Sequence, residues 1–216
     1  PLTHPNNGWL NLSGSEYVII PMNDTLRPRT GDYSYECWIR RDGVPSSGEY
    51  LIYAGSNADT GRINILIRSS GKIQVNQFFT PSGECNDIHA GSAVTDGDWH
   101  HFVLVGDRVN GKFKMYIDAE LVYQYNYTDQ DSGSNAYTSA SDFLATTTDP
   151  FVIGSIATSV PGTSSWFNGE IDEVRFYKKA LSDGGLSLSD SDNITSSNSA
   201  GGEISKNYKH GKSKHS

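Results

Sequence analysis

Apolar residues recur at every second position, in short blocks that turn residues keep breaking off. Tyr33-Ser-Tyr-Glu-Cys-Trp-Ile39 puts Tyr33, Tyr35, Cys37 and Ile39 on one face, and Ser34, Glu36 and Trp38 on the other. The same period runs through 17–20, 49–53, 63–67, 73–78, 112–117, 121–125, 151–153 and 170–177. Ser70-Gly71 marks a tight turn, and Asn110-Gly111 is a strong hairpin signal. Trp99 to Val105 is apolar on both faces, as a central strand would be, and we expect Trp99, Val103 and Val105 to face inward with Cys37 and Ile39. Helical periodicity is absent except for one turn's worth at 179–182. Many short strands separated by turns predict an all-β antiparallel sandwich.

Composition narrows the function classes. Of 216 residues, 17 are Lys or Arg and 25 are Asp or Glu, giving a formal charge of −8. That acidity disfavours a nucleic-acid binder, whose affinity comes mainly from neutralising phosphates. No apolar run reaches the ~20 residues of a membrane span, so no membrane insertion is expected. The segment 1–12 lacks the basic-then-apolar layout of a signal peptide. Two cysteines, Cys37 and Cys85, cannot form a disulfide framework, and whether they pair is left open.

Organisation changes after residue 186. Residues 1–186 read as one β domain, 187–202 as a Ser/Asp/Gly-rich linker, and 203–216 as a basic tail. The tail carries Lys206, Lys209, Lys212 and Lys214 against Glu203, a net +3 that leaves −11 on the rest. Such a tail suits docking onto an acidic surface.

Three segments carry a family resemblance: Tyr35-Glu-Cys-Trp-Ile-Arg-Arg-Asp42, Asp98 to Val105 with Tyr116-Ile-Asp-Ala119, and Phe167-Asn-Gly-Glu-Ile-Asp-Glu-Val-Arg-Phe-Tyr177. Their order and spacing resemble the laminin-G-like domains of the concanavalin A-like lectin/glucanase superfamily. The resemblance implies a two-sheet jelly roll with a concave, often sugar-binding face. It departs from the family at Ala119, where Gly is usual, so a different turn type is expected there. A second departure is the insertion from Tyr127 to Asp149, expected to form a large surface loop.

Chemistry is then tested residue by residue. Retaining glucanases of the superfamily align three carboxylates on one strand face, two of them close enough for nucleophile and acid/base. Glu170 and Asp172 hold the first two alternating positions, but Val174 (or Arg175, after a bulge) holds the third, and Glu173 should face the other way. The chain is therefore expected to be no hydrolase. The resemblance also makes Asp172 a candidate ligand for a structural calcium ion. His100 and His101 are adjacent, so they point to opposite faces and cannot chelate together; His101 is expected to be a hydrogen-bonded near-core residue. Among the aromatics, Trp166 and Tyr53 are the candidate ligand-binding residues, with Phe167, Phe78, Phe79, Tyr123 and Tyr125 behind them. The expected function is a non-catalytic recognition module for glycan or another surface receptor. The alternative is a structural or decoration protein of a virion or cell-surface assembly, and the expected location is extracellular or the virion surface.

Overall fold

A computed structural model describes residues 3–5, 8–55, 61–80, 83–126, 144, 148–156 and 165–182. Among them are twelve strands: β1 (Leu10–Ser13), β2 (Val18–Ile20), β3 (Tyr33–Asp42), β4 (Glu49–Gly55), β5 (Arg62–Ile67), β6 (Ile73–Thr80), β7 (Gly83–His89), β8 (Asp96–Asp107), β9 (Lys112–Ile117), β10 (Glu120–Asn126), β11 (Phe151–Ile153) and β12 (Asn168–Tyr177). They pair antiparallel into two six-stranded sheets, ordered β1-β12-β3-β8-β9-β10 and β2-β11-β4-β5-β6-β7. The all-β jelly-roll expectation holds. The described helix is one 3-10 turn, Asp24–Leu26, capped by Asn23 accepting from the Thr25 amide at 2.9 Å. No helix among the described residues is long and apolar enough to cross a membrane. The helical turn expected at 179–182 does not form; Ser34 Oγ instead pins that segment, donating to Lys179 O at 2.9 Å and accepting from Leu181 N at 3.1 Å.

The main core lies between the sheets. Tyr33, Tyr35, Cys37 and Ile39 of β3 meet Leu51, Ile52, Ile63, Ile65, Ile73 and Val75 of the second sheet. Cys37 is unpaired and buried, and burial, aided by the neighbouring Glu36 charge, pushes its thiol pKa up. The Cys85 side chain lies outside the described residues. Gln77 of β6 donates across the core to the Tyr33 hydroxyl. The Tyr33 ring rests where a Cβ on Gly106 would be, 2.3 Å from that position, so only glycine fits there.

A second, smaller apolar layer covers the outer face of the first sheet. Val103 and Val105 belong here with Tyr116, under Ala180 and Leu181, and not in the main core as expected. Trp99 is corrected likewise: it sits half-buried on this outer face, opposite Arg40 in register. The pairing decides the matter, because Trp99, Val103 and Val105 align with Arg40, Glu36 and Ser34, the outward residues of β3. The buried Glu36 and His101 join the half-buried Arg175 and Tyr177 in a polar network of the same layer. His101 Nε2 lies 2.9 Å from Glu36 Oε1, and Tyr177 donates to Glu36 Oε2 at 2.6 Å.

Two turns differ from expectation. At 108–111 only Gly111 has positive φ, and Asp107 pairs with Lys112, so the hairpin closes through a four-residue loop. Asp118 and Ala119 join β9 to β10 with φ of 53° and 66°, the two-residue geometry that the family's Gly would serve and that Ala was expected to avoid. Asp118 holds the turn, its carboxylate accepting from His101 N at 2.8 Å and facing His100 Nδ1 at 2.8 Å. Burial pulls the His100 pKa down, but Asp118 and Asp96 outweigh it and raise the value. Ala119→Gly is expected to stabilise the domain by about 0.5–1 kcal/mol, since it relieves a left-handed alanine. Thermal unfolding checks this, and a lower melting temperature would contradict it.

The loop expected at 127–149 lies outside the described residues except at 144, 148 and 149. Leu144, its described residue before Thr148, is fully buried in the main core against Gly55.

Candidate functional site

Strands β4, β5 and β6 alternate core and outward residues, and their outward face carries a polar cleft. A register irregularity between Tyr50 and Ile52 lets Leu51 and Ile52 both enter the core, so Tyr50 and Tyr53 both face outward. Strict alternation would have buried Tyr50 beside Ile52. On β5 the outward residues are Arg62, Asn64 and Leu66, opposite Ile63, Ile65 and Ile67 of the core. On β6 they are Gln74 and Asn76, whose side chains join, Gln74 Nε2 donating to Asn76 Oδ1 at 2.7 Å.

The cleft has a volume of about 450 Å³. Tyr50 and Leu66 give it apolar surface, and Arg68, Gln74 and Asn76 supply charged and amide groups. Ser47, Ser69 and Ser165 bring hydroxyls to its margin. None of these lining residues is Asp, Glu or His. Asn64, 4% exposed, neighbours Asn76 in register, and its Oδ1 is buried without a hydrogen-bond partner. Burial raises the pKa of both Tyr50 and Tyr53, with the Arg62 charge opposing, so the two phenols stay neutral donors.

Both aromatic candidates lie at this face. Tyr53 is only 3% exposed and meets Tyr50 edge-on at 6.0 Å, so it backs the cleft wall. Trp166 is half-buried at the rim, tilted against Tyr17 with ring centroids 5.2 Å apart. Its segment is fixed on three sides. Ser165 O accepts from Tyr50 N at 3.1 Å, Phe167 N donates to Gly154 O at 2.9 Å, and Glu49 accepts from Asn168 N at 3.1 Å. Phe167, Tyr123 and Tyr125 pack in or against the core instead. The side chains of Phe78 and Phe79 lie outside the described residues, as do the linker and the tail at 203–216.

The strand that holds Glu170 and Asp172, where the catalytic set was expected to be incomplete, bulges. Glu173 takes φ 50°, and the register shifts between Asp172 and Arg175. Val174 therefore enters the core, while Glu173 reaches Arg175 on the outer face of the first sheet, contrary to the expected alternation. Glu170 is held by Arg40 in a two-pronged pair that keeps its carboxyl pKa below the ordinary range. Asp172 Oδ2 lies 3.0 Å from His4 Nε2. A cation at Asp172 would have to release that histidine, and among the described residues no three His, Cys, Asp or Glu side chains converge as a metal site.

The His4 contact itself was not legible in the sequence. His4 stacks on Trp99 at 3.8 Å and meets Trp38 edge-on at 5.4 Å. Arg40 lies over both Trp9 and Trp99, at 5.5 and 5.1 Å from their ring centroids.

Comparison with known proteins agrees with this architecture. No curated protein matches the chain. The CBM40 of a Ruminococcus gnavus IT-sialidase superposes with a TM-score of 0.59 at 13% identity, covering 82% of this chain and 94% of that one. The same module has been solved bound to alpha2,3 sialyllactose. The LG1-3 region of the laminin alpha2 chain gives 0.57 at 15% identity, over 81% of this chain and 32% of that one. The binding domain of Paraclostridial Mosquitocidal Protein 1 gives 0.58 at 13% identity, over 82% and 41%. This chain thus spans about a third of the laminin fragment and under half of the mosquitocidal binding domain. The laminin G family model described as Concanavalin A-like lectin/glucanases superfamily matches residues 12–186, and the chain belongs to that superfamily as a laminin-G-like domain.

Proposed function

We propose that the domain is a non-catalytic carbohydrate-binding module whose site is the cleft on the outer face of β4, β5 and β6. One observation carries this reading: the cleft sets amides, hydroxyls and a guanidinium beside the Tyr50 ring, with no carboxylate among its lining residues. Amides both donate and accept, which suits sugar hydroxyls that do the same. A tyrosine ring offers a flat apolar face to the C–H side of a sugar. Cleavage would need two carboxyl groups about 5–5.5 Å or more apart across the scissile bond. Glu170 and Asp172 belong to the other sheet and are already paired with Arg40 and His4. Such a module would work where glycans are displayed, outside the cell.

A glycan array followed by calorimetry tests the reading, using the full chain and a Gln74→Ala/Asn76→Ala variant. The two amides contribute hydrogen bonds worth about 1 kcal/mol each, so the variant should bind its array hit some tenfold or more weakly. Its melting temperature should stay close to the parent's, because both side chains lie on the face away from the core. Undiminished glycan binding by the variant would remove the cleft as the site.

A further inference from the structure

Resting on that reading, we infer that the cleft binds a linear oligosaccharide laid across the strands, with the Tyr17–Trp166 pair as the stacking subsite at one end. The register supplies the track. Trp166 bridges Tyr50, Tyr50 pairs with Leu66, Leu66 with Gln74, and Gln74 with His89. Neighbouring strands lie about 4.8 Å apart, so these four steps run roughly 19 Å, well beyond the reach of one sugar ring. The chemistry changes along the row: aromatic at Trp166 and Tyr50, aliphatic at Leu66, polar at Gln74 and the exposed His89.

The rim pair is suited to contact a ligand. Val18 and Ile20 pack against the core, so Tyr17 and Ile19 turn to the same outer face as the cleft. Tyr17 is 37% exposed and Ile19 50% exposed, beside the half-buried Trp166. Phe167, next in the chain, already fills the core, so Trp166 is free of that duty. Tyr17 and Trp166 meet at 49°, forming an open corner of two rings next to Ser165, which lines the cleft. Large apolar side chains grouped at the margin of a polar cleft mark a contact surface.

Calorimetry with the full chain tests this, using disaccharides and hexasaccharides of the cello-, manno-, chito- and oligogalacturonide series. In the series that binds, the hexasaccharide should bind at least about tenfold tighter than the disaccharide. Trp166→Ala and, separately, Tyr17→Ala should each weaken the hexasaccharide about tenfold and leave the disaccharide unchanged, while Trp166→Phe restores most of the affinity. Equal affinity for short and long ligands, or no effect of either rim variant, overturns the inference and leaves the cleft reading standing. So does self-association of the parent that Trp166→Ala abolishes, since the rim would then be a contact between copies. Failure of every series to bind removes the carbohydrate reading and this inference together.

Discussion

Replacing Glu36 by Ala is expected to cost about 3–5 kcal/mol of folding free energy, the scale for removing one partner of a buried, hydrogen-bonded charge. Glu36 is 4% exposed on the outer face of β3, beneath the layer that Tyr116, Ala180 and Leu181 help to build. Its carboxylate takes the Tyr177 hydroxyl at 2.6 Å and faces His101 Nε2 at 2.9 Å and Arg175 at 3.4 Å. Alanine would leave the buried His101 Nε2 and the Tyr177 hydroxyl without the acceptor they share, while Arg175 would keep Glu173. The same site makes stability depend on pH. Burial pushes the Glu36 carboxyl up, but the hydrogen bonds from His101 and Tyr177 and the positive charge of His101 and Arg175 outweigh it, so the folded pKa lies below the ordinary value. A lowered carboxyl pKa stabilises the fold above the unfolded value, about 4.3, and that contribution disappears as pH falls through the folded pKa. Urea unfolding of the parent and of Glu36→Gln, near pH 7 and near pH 3, separates shape from charge. The glutamine variant should be less stable than the parent at the higher pH, and the gap should narrow at the lower one. An equal gap at both pH values would show that ionisation of Glu36 contributes nothing.

Where alternation was strict and its two faces differed in polarity, the fold was legible. Strand β3 shows this: one face is wholly apolar and the other, Trp38 apart, is polar, and the structure buries Tyr33, Tyr35, Cys37 and Ile39 together as expected. Strand β8 carries apolar residues on both faces, so its own sequence gave no sign of which face met the main core. Only pairing with β3, in which Glu36 opposes Val103 and Arg40 opposes Trp99, resolves it. Bulges defeated the period-two argument twice. In β4 the irregularity re-aims Tyr50 into the cleft, and in β12 it sends Val174 inward and leaves Glu173 on the outer face. A bulge inserts one residue and reverses every assignment beyond it, with no marker such as glycine at either place. The cleft amides were readable in principle. Gln74 and Asn76 alternate with Ile73 and Val75, and Asn64 opposes them on β5, but a search for exposed aromatics passes over polar pairs. The short β1 and the polar β7 carry too little periodicity to stand out.

The largest packing effect should come from Trp38, which lies on the outer face of the first sheet yet is 1% exposed. An outward tryptophan can be that well buried only because something is laid over it. His101 packs on one side, with ring centroids 4.9 Å apart, and His4, 34 residues earlier in the chain, meets it edge-on. Trp99 then stacks on His4, Trp9 meets Trp99 at 6.0 Å, and Arg40 spans the two indoles while paired with Glu170. His4 and Trp9 thus act as a cover over Trp38 and Trp99 on the outer face of the first sheet. Trp38→Ala should cost about 3–5 kcal/mol, the range for emptying a buried aromatic site. For a domain of this size that lowers the melting temperature by roughly 6–20 °C. His4→Ala should cost less, about 1–2 kcal/mol. Because it uncovers both indoles, it should also move the tryptophan emission to longer wavelength while leaving glycan binding at the opposite sheet intact. If Trp38→Ala costs under about 1 kcal/mol, the scale of an ordinary surface change, this cover adds no second core and the stability resides between the sheets alone. If His4→Ala weakens ligand binding, the two outer faces are coupled through the sandwich, because among the described residues His4 meets Asp172, Trp9, Trp38 and Trp99, all on the side of the first sheet.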